Sequence, residues 1–142
     1  LAAAGSCNDN SVTTASACTG NYETGSYSCS DTSKTSYHEC IAESVSSGSA
    51  LTSGATGYVD QATCQLIRNS ATSSTGTITS HSFGTTYPAG CVERSQPLRY
   101  QWSTGAGTSC NDEKKCVQLT GNTWSADTAT RSWTSSNSYH SG

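Results

Sequence analysis

The sequence predicts a small disulfide-rich α+β fold: a short antiparallel sheet with one or two short helices, many loops and an extended C-terminal segment. Two observations predict it. Only 32% of the 142 residues are hydrophobic and 12% are charged, so the core must be thin. Eight cysteines can close such a core covalently, and each disulfide contributes about 2–4 kcal/mol of stability.

The cysteines are an even set, as expected for disulfides: Cys7, Cys18, Cys29, Cys40, Cys64, Cys91, Cys110 and Cys116. Zinc binding is the alternative, but zinc sites need closer pairs than any in this chain. Disulfides imply an oxidising compartment, and we therefore expect a secreted protein or one on an extracellular surface. The sequence leaves the pairing open, since eight cysteines allow roughly a hundred combinations.

The first four cysteines are evenly spaced along the chain, which suggests an internal repeat. The residues between them share no recurring apolar pattern, as a true repeat would require. We therefore interpret the even spacing as a coincidence.

Two segments have the periodicity of a helix. Apolar residues recur on one face from Ser36 to Val45, with Ser36 as the cap. Asp60 can cap a second helix from Gln61 to Asn69. Each helix carries a cysteine on its buried side, so we expect both to be tied to the sheet.

Strand patterns begin after position 75. They cover Thr77–Thr79, Gly90–Glu93, Leu98–Trp102 and Lys115–Leu119. The Ser/Gly-rich run from 46 to 57 has the composition of a linker. We therefore predict an N-terminal part at 1–57, a sheet-containing module at 58–119 and a tail at 120–142, with 1–119 as one domain in the alternative.

The segment from Tyr58 to Val117 resembles the cysteine-rich modules found in secreted and surface proteins of microalgae. The matching segments are Ala62-Thr63-Cys64-Gln65, Thr86-Tyr87-Pro88-Ala89-Gly90-Cys91, Arg99-Tyr100-Gln101-Trp102, Ser109-Cys110 and Lys115-Cys116-Val117. The family's usual Cys-x-Cys ending is absent, because Gln118 stands where the last cysteine would be. The resemblance implies a secreted eukaryotic surface component and brings no catalytic residues with it.

Catalytic and cofactor motifs are not found in the sequence. His38-Glu39 matches the start of a His-Glu-x-x-His zinc motif, but Ala42 stands at the second histidine position. Oxygen ligands for calcium surround Asp9 and Asp112, and turn chemistry explains both groups better. We expect no cofactor, no metal and no enzymatic activity.

The tail is the most informative segment for function. No cysteine follows Cys116, yet Trp124 and Trp133 lie in strand-like surroundings. Such a segment either folds back as edge strands or adds to a neighbouring molecule by β-augmentation. Trp124, Trp133, Tyr100 and Trp102 are the candidates for assembly or glycan contact, although core filling is the default for Tyr100 and Trp102.

Hydroxyl groups are abundant, with 27 serines and 22 threonines, whereas no asparagine begins an N-glycosylation motif. Candidates for O-linked sugars are Thr72, Ser73, Ser74, Thr75, Ser132, Thr134, Ser135 and Ser136.

A net charge of −3 argues against a nucleic-acid partner, and no apolar run is long enough to span a membrane. We therefore expect a non-enzymatic structural subunit of an extracellular surface filament or fibril, O-glycosylated and joined to copies of itself by strand exchange. The alternative is a monomeric secreted carbohydrate-binding module.

Overall fold

The computed structural model describes residues 4–105 and 107–136, and the chain forms two compact units. Of the described residues, the terminal unit combines 4–28 with 125–136, and the central unit comprises 29–105 and 107–124. The chain therefore passes between the units twice, at 28–29 and at 124–125. The predicted boundaries differ, because position 57 lies inside the central unit and the predicted tail is divided between the units.

The described residues form two short helices and nine strands, which confirms the small disulfide-rich α+β class. In chain order they are β1 (Gly5–Cys7), β2 (Asn21–Cys29), α1 (Tyr37–Ile41), β3 (Ala42–Val45), α2 (Gln61–Thr72), β4 (Ser80–His81), β5 (Gly90–Arg94), β6 (Arg99–Ser103), β7 (Lys115–Leu119), β8 (Trp124–Thr130) and β9 (Trp133–Ser135).

A five-stranded sheet organises the central unit in the order β3-β7-β5-β6-β4. Its neighbours are antiparallel except β4 and β6, which are parallel, so the sheet is mixed. The predicted strand at Thr77–Thr79 is wrong, since the strand in this region is β4. Side chains of α2 bind the backbone of Ile78 instead: Gln65 accepts from its N–H at 3.0 Å and Gln61 donates to its carbonyl at 3.2 Å.

The second helix is present with its predicted cap. The Asp60 carboxylate accepts the Thr63 N–H at 2.7 Å, and α2 continues past the predicted end at Asn69 to Thr72. The first prediction is wrong beyond Ile41. Ala42–Val45 form a strand because each of these residues pairs with one in β7, and this pairing outweighs the local helical periodicity.

All eight cysteines are paired, each with its neighbour in the sequence. The bonds are Cys7–Cys18, Cys29–Cys40, Cys64–Cys91 and Cys110–Cys116. Cys64–Cys91 ties α2 to β5, as predicted for a helix cysteine. Cys40 joins Cys29 at the end of β2, so the expectation that α1 is also tied to the five-stranded sheet by its cysteine is wrong.

The main core of the central unit lies between α2 and the sheet. Its buried members are Val59, Cys64, Ile67, Ile78, Cys91, Tyr100 and Val117, with Trp102 partly buried against them. On the opposite face of the sheet Val92 is fully buried. Arg94 lies two residues further on and therefore on that same face, with its guanidinium 5.2 Å from the centre of the Tyr87 ring. Phe83 stacks on the Tyr87 ring at 3.9 Å.

The terminal unit contains two small two-stranded sheets, β1 with β9 and β2 with β8, except that the last residue of β2 and the first of β8 belong to the central unit. Gly5 pairs with Ser135 and Cys7 with Trp133 in the antiparallel β1–β9 ladder. Gly5 is required by close approach, because a Cβ at this position would lie 2.8 Å from the Trp133 indole nitrogen. The predicted tail thus folds back as strands within its own chain.

Candidate functional site

Asp9 organises the loop that the Cys7–Cys18 disulfide closes. Its carboxylate accepts two hydrogen bonds from Ser11, from the backbone N–H at 3.0 Å and from the hydroxyl at 2.7 Å. The Val12 N–H then donates to the Asp9 carbonyl at 3.0 Å. This is an Asx turn, so turn chemistry explains the acidic residue, as the sequence favoured.

Asp31 organises the Cys29–Cys40 loop in the same way. Its carboxylate accepts the Ser33 N–H at 3.0 Å and the Ser33 hydroxyl at 2.7 Å, and the Lys34 N–H donates to its carbonyl at 3.0 Å. The two disulfide loops therefore share one local structure.

The sequence repeats along with the structure. Ser6–Ser11 and Ser28–Ser33 both read Ser-Cys-x-Asp-x-Ser, 22 positions apart, and a second cysteine follows the first by eleven residues in both cases. The interpretation of the even cysteine spacing as coincidence is therefore wrong. The sequence signal for the repeat is this polar motif, which a search for a recurring apolar pattern does not detect.

Each loop binds the residue that directly precedes a tryptophan. The Asn8 N–H donates to the Ser132 carbonyl at 3.1 Å, and the Ser132 N–H donates back to the Asn8 side-chain oxygen at 2.8 Å. Ser30 and Thr123 make the same reciprocal pair, at 2.9 and 3.0 Å. Trp133 follows Ser132 and Trp124 follows Thr123. We call each loop with its bound segment a loop–tryptophan pair.

The residue two positions before each tryptophan also binds its loop. Arg131 donates to the Thr19 carbonyl at 2.7 Å, and Asn122 donates to the Cys40 carbonyl at 3.1 Å. Arg131 additionally forms an ion pair with Asp9 at 2.8 Å, which a neutral Asn122 cannot do. The terminal pair therefore contains a charged contact that the central pair lacks.

Hydrogen bonding lowers the pKa of both turn carboxylates. The Ser11 hydroxyl is the main cause for Asp9, with Arg131 next, and the Ser33 hydroxyl is the main cause for Asp31. These donors stabilise the ionised form, because a protonated carboxyl accepts such bonds less well.

The two tail tryptophans lie in different surroundings. Trp133 is half-buried over Gly5, and its indole nitrogen is buried without a hydrogen-bond partner among the described residues. Trp124 contacts Tyr37 edge to face, with ring centres 6.4 Å apart. Both belong to a loop–tryptophan pair, so each unit contains one of them.

The other two aromatic candidates, Tyr100 and Trp102, differ in their burial. Tyr100 is 9% exposed in the core and its hydroxyl donates to Glu93 at 3.1 Å, so burial and this carboxylate raise its pKa. Trp102 is half-buried and borders a cleft of about 290 Å³ in the central unit. This Trp102 cleft is lined by residues that include Leu51, Tyr58, Gly90, Trp102, Ser103 and Thr104.

The O-glycan candidates differ in their accessibility. Ser73 and Thr75 are exposed after α2, whereas Thr72 and Ser74 are partly buried and hydrogen-bonded to each other at 2.6 Å. In the tail, all four candidates are exposed: Ser132, Thr134, Ser135 and Ser136.

The remaining polar candidates take part in local structure. His38, from the incomplete zinc motif, binds the Ser70 hydroxyl through its backbone N–H at 3.1 Å and its ring at 2.8 Å, which joins α1 to α2. The Asn111 side chain accepts the backbone N–H groups of Glu113 and Lys114, both at 3.0 Å, in a turn. The described residues contain no group of three or more potential metal ligands. Within the described part of the chain, no helix is long and apolar enough to cross a bilayer.

Comparison with protein-family models, with curated proteins and with solved structures found no match to this chain. The resemblance of residues 58–117 to microalgal modules therefore stays a prediction.

Proposed function

We propose that this chain is a non-enzymatic structural subunit of an extracellular surface filament or fibril, in which the C-terminal strands of one copy bind the N-terminal segment of the next. The supporting observation is that the terminal unit is built from two segments, one from each end of the chain. Four disulfides are typical of a protein made in an oxidising compartment, which agrees with an extracellular site.

The two halves of the terminal unit are held by noncovalent contacts. The Cys7–Cys18 bond lies within the N-terminal half, and none of the four disulfides joins this half to residues 125–136. Strand pairing, the Asn8–Ser132 hydrogen bonds and the Asp9–Arg131 ion pair connect them. An identical copy can supply every one of these contacts, which is the condition for strand exchange.

Two-stranded sheets also favour addition of further strands. Among the described residues each strand of these sheets pairs with one other strand, and an isolated two-stranded pair is only marginally stable in water. Most side chains of β2 are exposed, including Tyr27 at 55%. Pairing with another copy would bury this surface.

Sugars attached to the chain are part of the proposal. The exposed hydroxyls of Ser73 and Thr75 in the central unit, and those of the tail, are accessible to a modifying enzyme. We propose copies of the chain and glycans as its partners.

Charge reversal at the ion pair tests whether the exchange takes place. Asp9→Arg leaves one chain with two arginines at these positions, and Arg131→Asp leaves another with two aspartates, so neither forms the pair with itself. When the two variants are mixed, each chain offers the charge that the other lacks. Light scattering and electron microscopy should then show small particles for each variant alone and large assemblies for the mixture.

Two controls separate the ion pair from the turn. Asp31→Arg removes the matched turn without removing an ion pair, and it reports the cost of the turn itself. The double variant in one chain restores the pair with inverted charges. If the double variant assembles but the mixture stays as small as its components, the pair forms only within one chain and the proposal fails.

The Trp102 cleft supports the second candidate function, a monomeric secreted carbohydrate-binding module. Sedimentation of the unmodified protein distinguishes the candidates. A single monomeric species over a wide range of concentrations, together with saturable sugar binding, would favour the module over the filament subunit.

A further inference from the structure

Three buried polar atoms belong to side chains on one face of the five-stranded sheet. They are Arg94 Nε, Gln101 Oε1 and Ser103 Oγ, and none of them has a hydrogen-bond partner among the described residues. In the β5–β6 ladder Gln101 lies directly opposite Val92, while Ser103 and Arg94 are each two residues further along their strands. Because successive side chains point to opposite faces of a sheet, all three extend from the face of Val92, away from the core beneath α2. We call it the Val92 face.

The Val92 face is closed to solvent at these positions. Val92 is 0% and Ser103 2% exposed, and the three polar atoms are themselves buried. The Arg94 guanidinium donates to the Tyr87 hydroxyl and lies 5.2 Å from the centre of that ring. Native proteins pair nearly all buried donors and acceptors, with internal water where protein groups are out of reach. These three atoms therefore need a partner that is small enough for an enclosed site.

The three atoms complement one another without meeting. Arg94 Nε carries a donor, Gln101 Oε1 is an acceptor with two lone pairs, and the Ser103 hydroxyl can both donate and accept. Gln101 and Ser103 are two residues apart on one strand, with roughly 7 Å between their Cα atoms, and Arg94 lies diagonally from Gln101 at roughly 7–8 Å. A water molecule also donates and accepts, so it can connect polar groups that do not bond directly.

The rung of the ladder that holds Ser103 has room for a water molecule. Gly90 is directly opposite Ser103 and is buried. A Cβ at Gly90 would nevertheless meet no atom within 4 Å outside its chain neighbours. Because opposite residues of a ladder face the same side, this space adjoins the Val92 face at Ser103. A water molecule, with a radius of about 1.4 Å, fits there.

We propose that the Val92 face binds two internal water molecules, one between Ser103 and Gln101 and one between Gln101 and Arg94. The Gln101 oxygen accepts a hydrogen bond from each water, which uses both of its lone pairs. The Ser103 hydroxyl bonds the first water, and Arg94 Nε donates to the second. A continuous hydrogen-bonded chain then runs from Ser103 to the hydroxyl of Tyr87. It gives the central unit a hydrated polar core on the side of the sheet opposite α2.

Magnetic relaxation dispersion of the full-length, disulfide-bonded chain tests the proposal, because it counts the water molecules that stay inside a protein. Ser103→Ala removes one anchor and should lose one long-lived water. Gln101→Met keeps the length of the side chain without its oxygen and should lose both. Ser82→Ala makes the same change as Ser103→Ala at an exposed serine outside the β5–β6 ladder, and it should leave the count unchanged.

Unfolding in urea gives a second measure. Members of one hydrogen-bond network have non-additive effects on stability, because they depend on the same bridging molecule. The effect of Gln101→Met and Ser103→Ala together on the unfolding equilibrium constant should differ by about fivefold from the product of their separate effects. Gln101→Met combined with Ser82→Ala should give the simple product.

A high-resolution crystal structure of the unmodified protein shows the waters directly and needs no variant. Ordered water at both positions is the expected result. The proposal is overturned by a direct hydrogen bond from Arg94 or Ser103 to the Gln101 oxygen, by an unchanged water count in Gln101→Met, or by independent effects of Gln101→Met and Ser103→Ala. None of these measurements involves particle size, so their outcome is separate from that of strand exchange.

Discussion

Asn8 and Ser132 bind each other in both directions, through the Asn8 N–H at 3.1 Å and through the Asn8 side-chain oxygen at 2.8 Å. Ser30 and Thr123 form the same reciprocal pair of hydrogen bonds in the second loop. The second pair shows that a serine hydroxyl can replace the asparagine oxygen as the acceptor.

This equivalence predicts the outcome of substitutions at Asn8. Asn8→Ser should retain the bond to the Ser132 N–H, lose only the exposed bond that the Asn8 amide donates to the Thr130 carbonyl, and cost about 0.5 kcal/mol. Asn8→Val should leave that N–H without its acceptor and cost about 1–2 kcal/mol. Hydrogen exchange at the Ser132 amide measures the difference, and equal exchange in the two variants would contradict the prediction.

Acid should weaken the terminal loop through Asp9. Its folded pKa is lowered from the ordinary 3.8, so its contribution is present above that value and is lost as the pH falls through the folded pKa. The Ser11 amide shift, followed from about pH 5 to 2, should report this titration. Asp9→Asn keeps an acceptor that does not titrate and should flatten the response.

A matched substitution exists in the second loop. Asp31→Asn changes the same kind of turn, and it should flatten the acid response of the Ser33 amide while leaving that of Ser11 intact. A common response of both amides to either substitution would mean that the two loops do not titrate independently.

The Cys64–Cys91 bond should contribute more stability than Cys110–Cys116. It closes a separation of 27 residues against 6, and restriction of the unfolded chain predicts about 3.5 and 2 kcal/mol respectively. Replacing each pair by alanine and measuring urea unfolding tests this order. Loss of the fully buried Cys64 sulfur adds a cavity cost in the same direction.

The Asp60 cap should be measurable on its own. Asp60→Ala removes the acceptor of the Thr63 N–H and should cost about 1 kcal/mol in thermal or urea unfolding. Asp60→Asn retains an acceptor and should recover most of that loss. If both variants unfold alike, the charge rather than the hydrogen bond stabilises the start of α2.

The sequence predicts those elements of the fold whose determinants lie close together in the chain. The Asp60 cap and the apolar face of α2 lie within one segment, and the strands β5, β6 and β7 show the expected patterns. The wrong assignment of Ala42–Val45 has a different origin, because its strand depends on β7, more than 70 residues later. No local periodicity contains that information.

The candidate site was harder to predict for the same reason. The sequence indicates that the tail tryptophans matter, but the partners of the segments that contain them lie at the other end of the chain or in a distant loop. The sequence indicates Trp102 but not its cleft, because Leu51, Tyr58 and Gly90 come together with Trp102 only in the folded chain. The repeated Ser-Cys-x-Asp-x-Ser motif was visible in the sequence, and its polar character concealed it.

Pairing of each cysteine with its neighbour has a consequence for biosynthesis. A chain that enters an oxidising compartment from its N-terminus presents both members of each pair before the next pair arrives, so every bond can close in order. Residues 125–136 emerge after the last of these cysteines and are enclosed by none of the covalent loops. The proposed exchange of these residues between copies would therefore require no disulfide to be reduced, even after oxidation is complete.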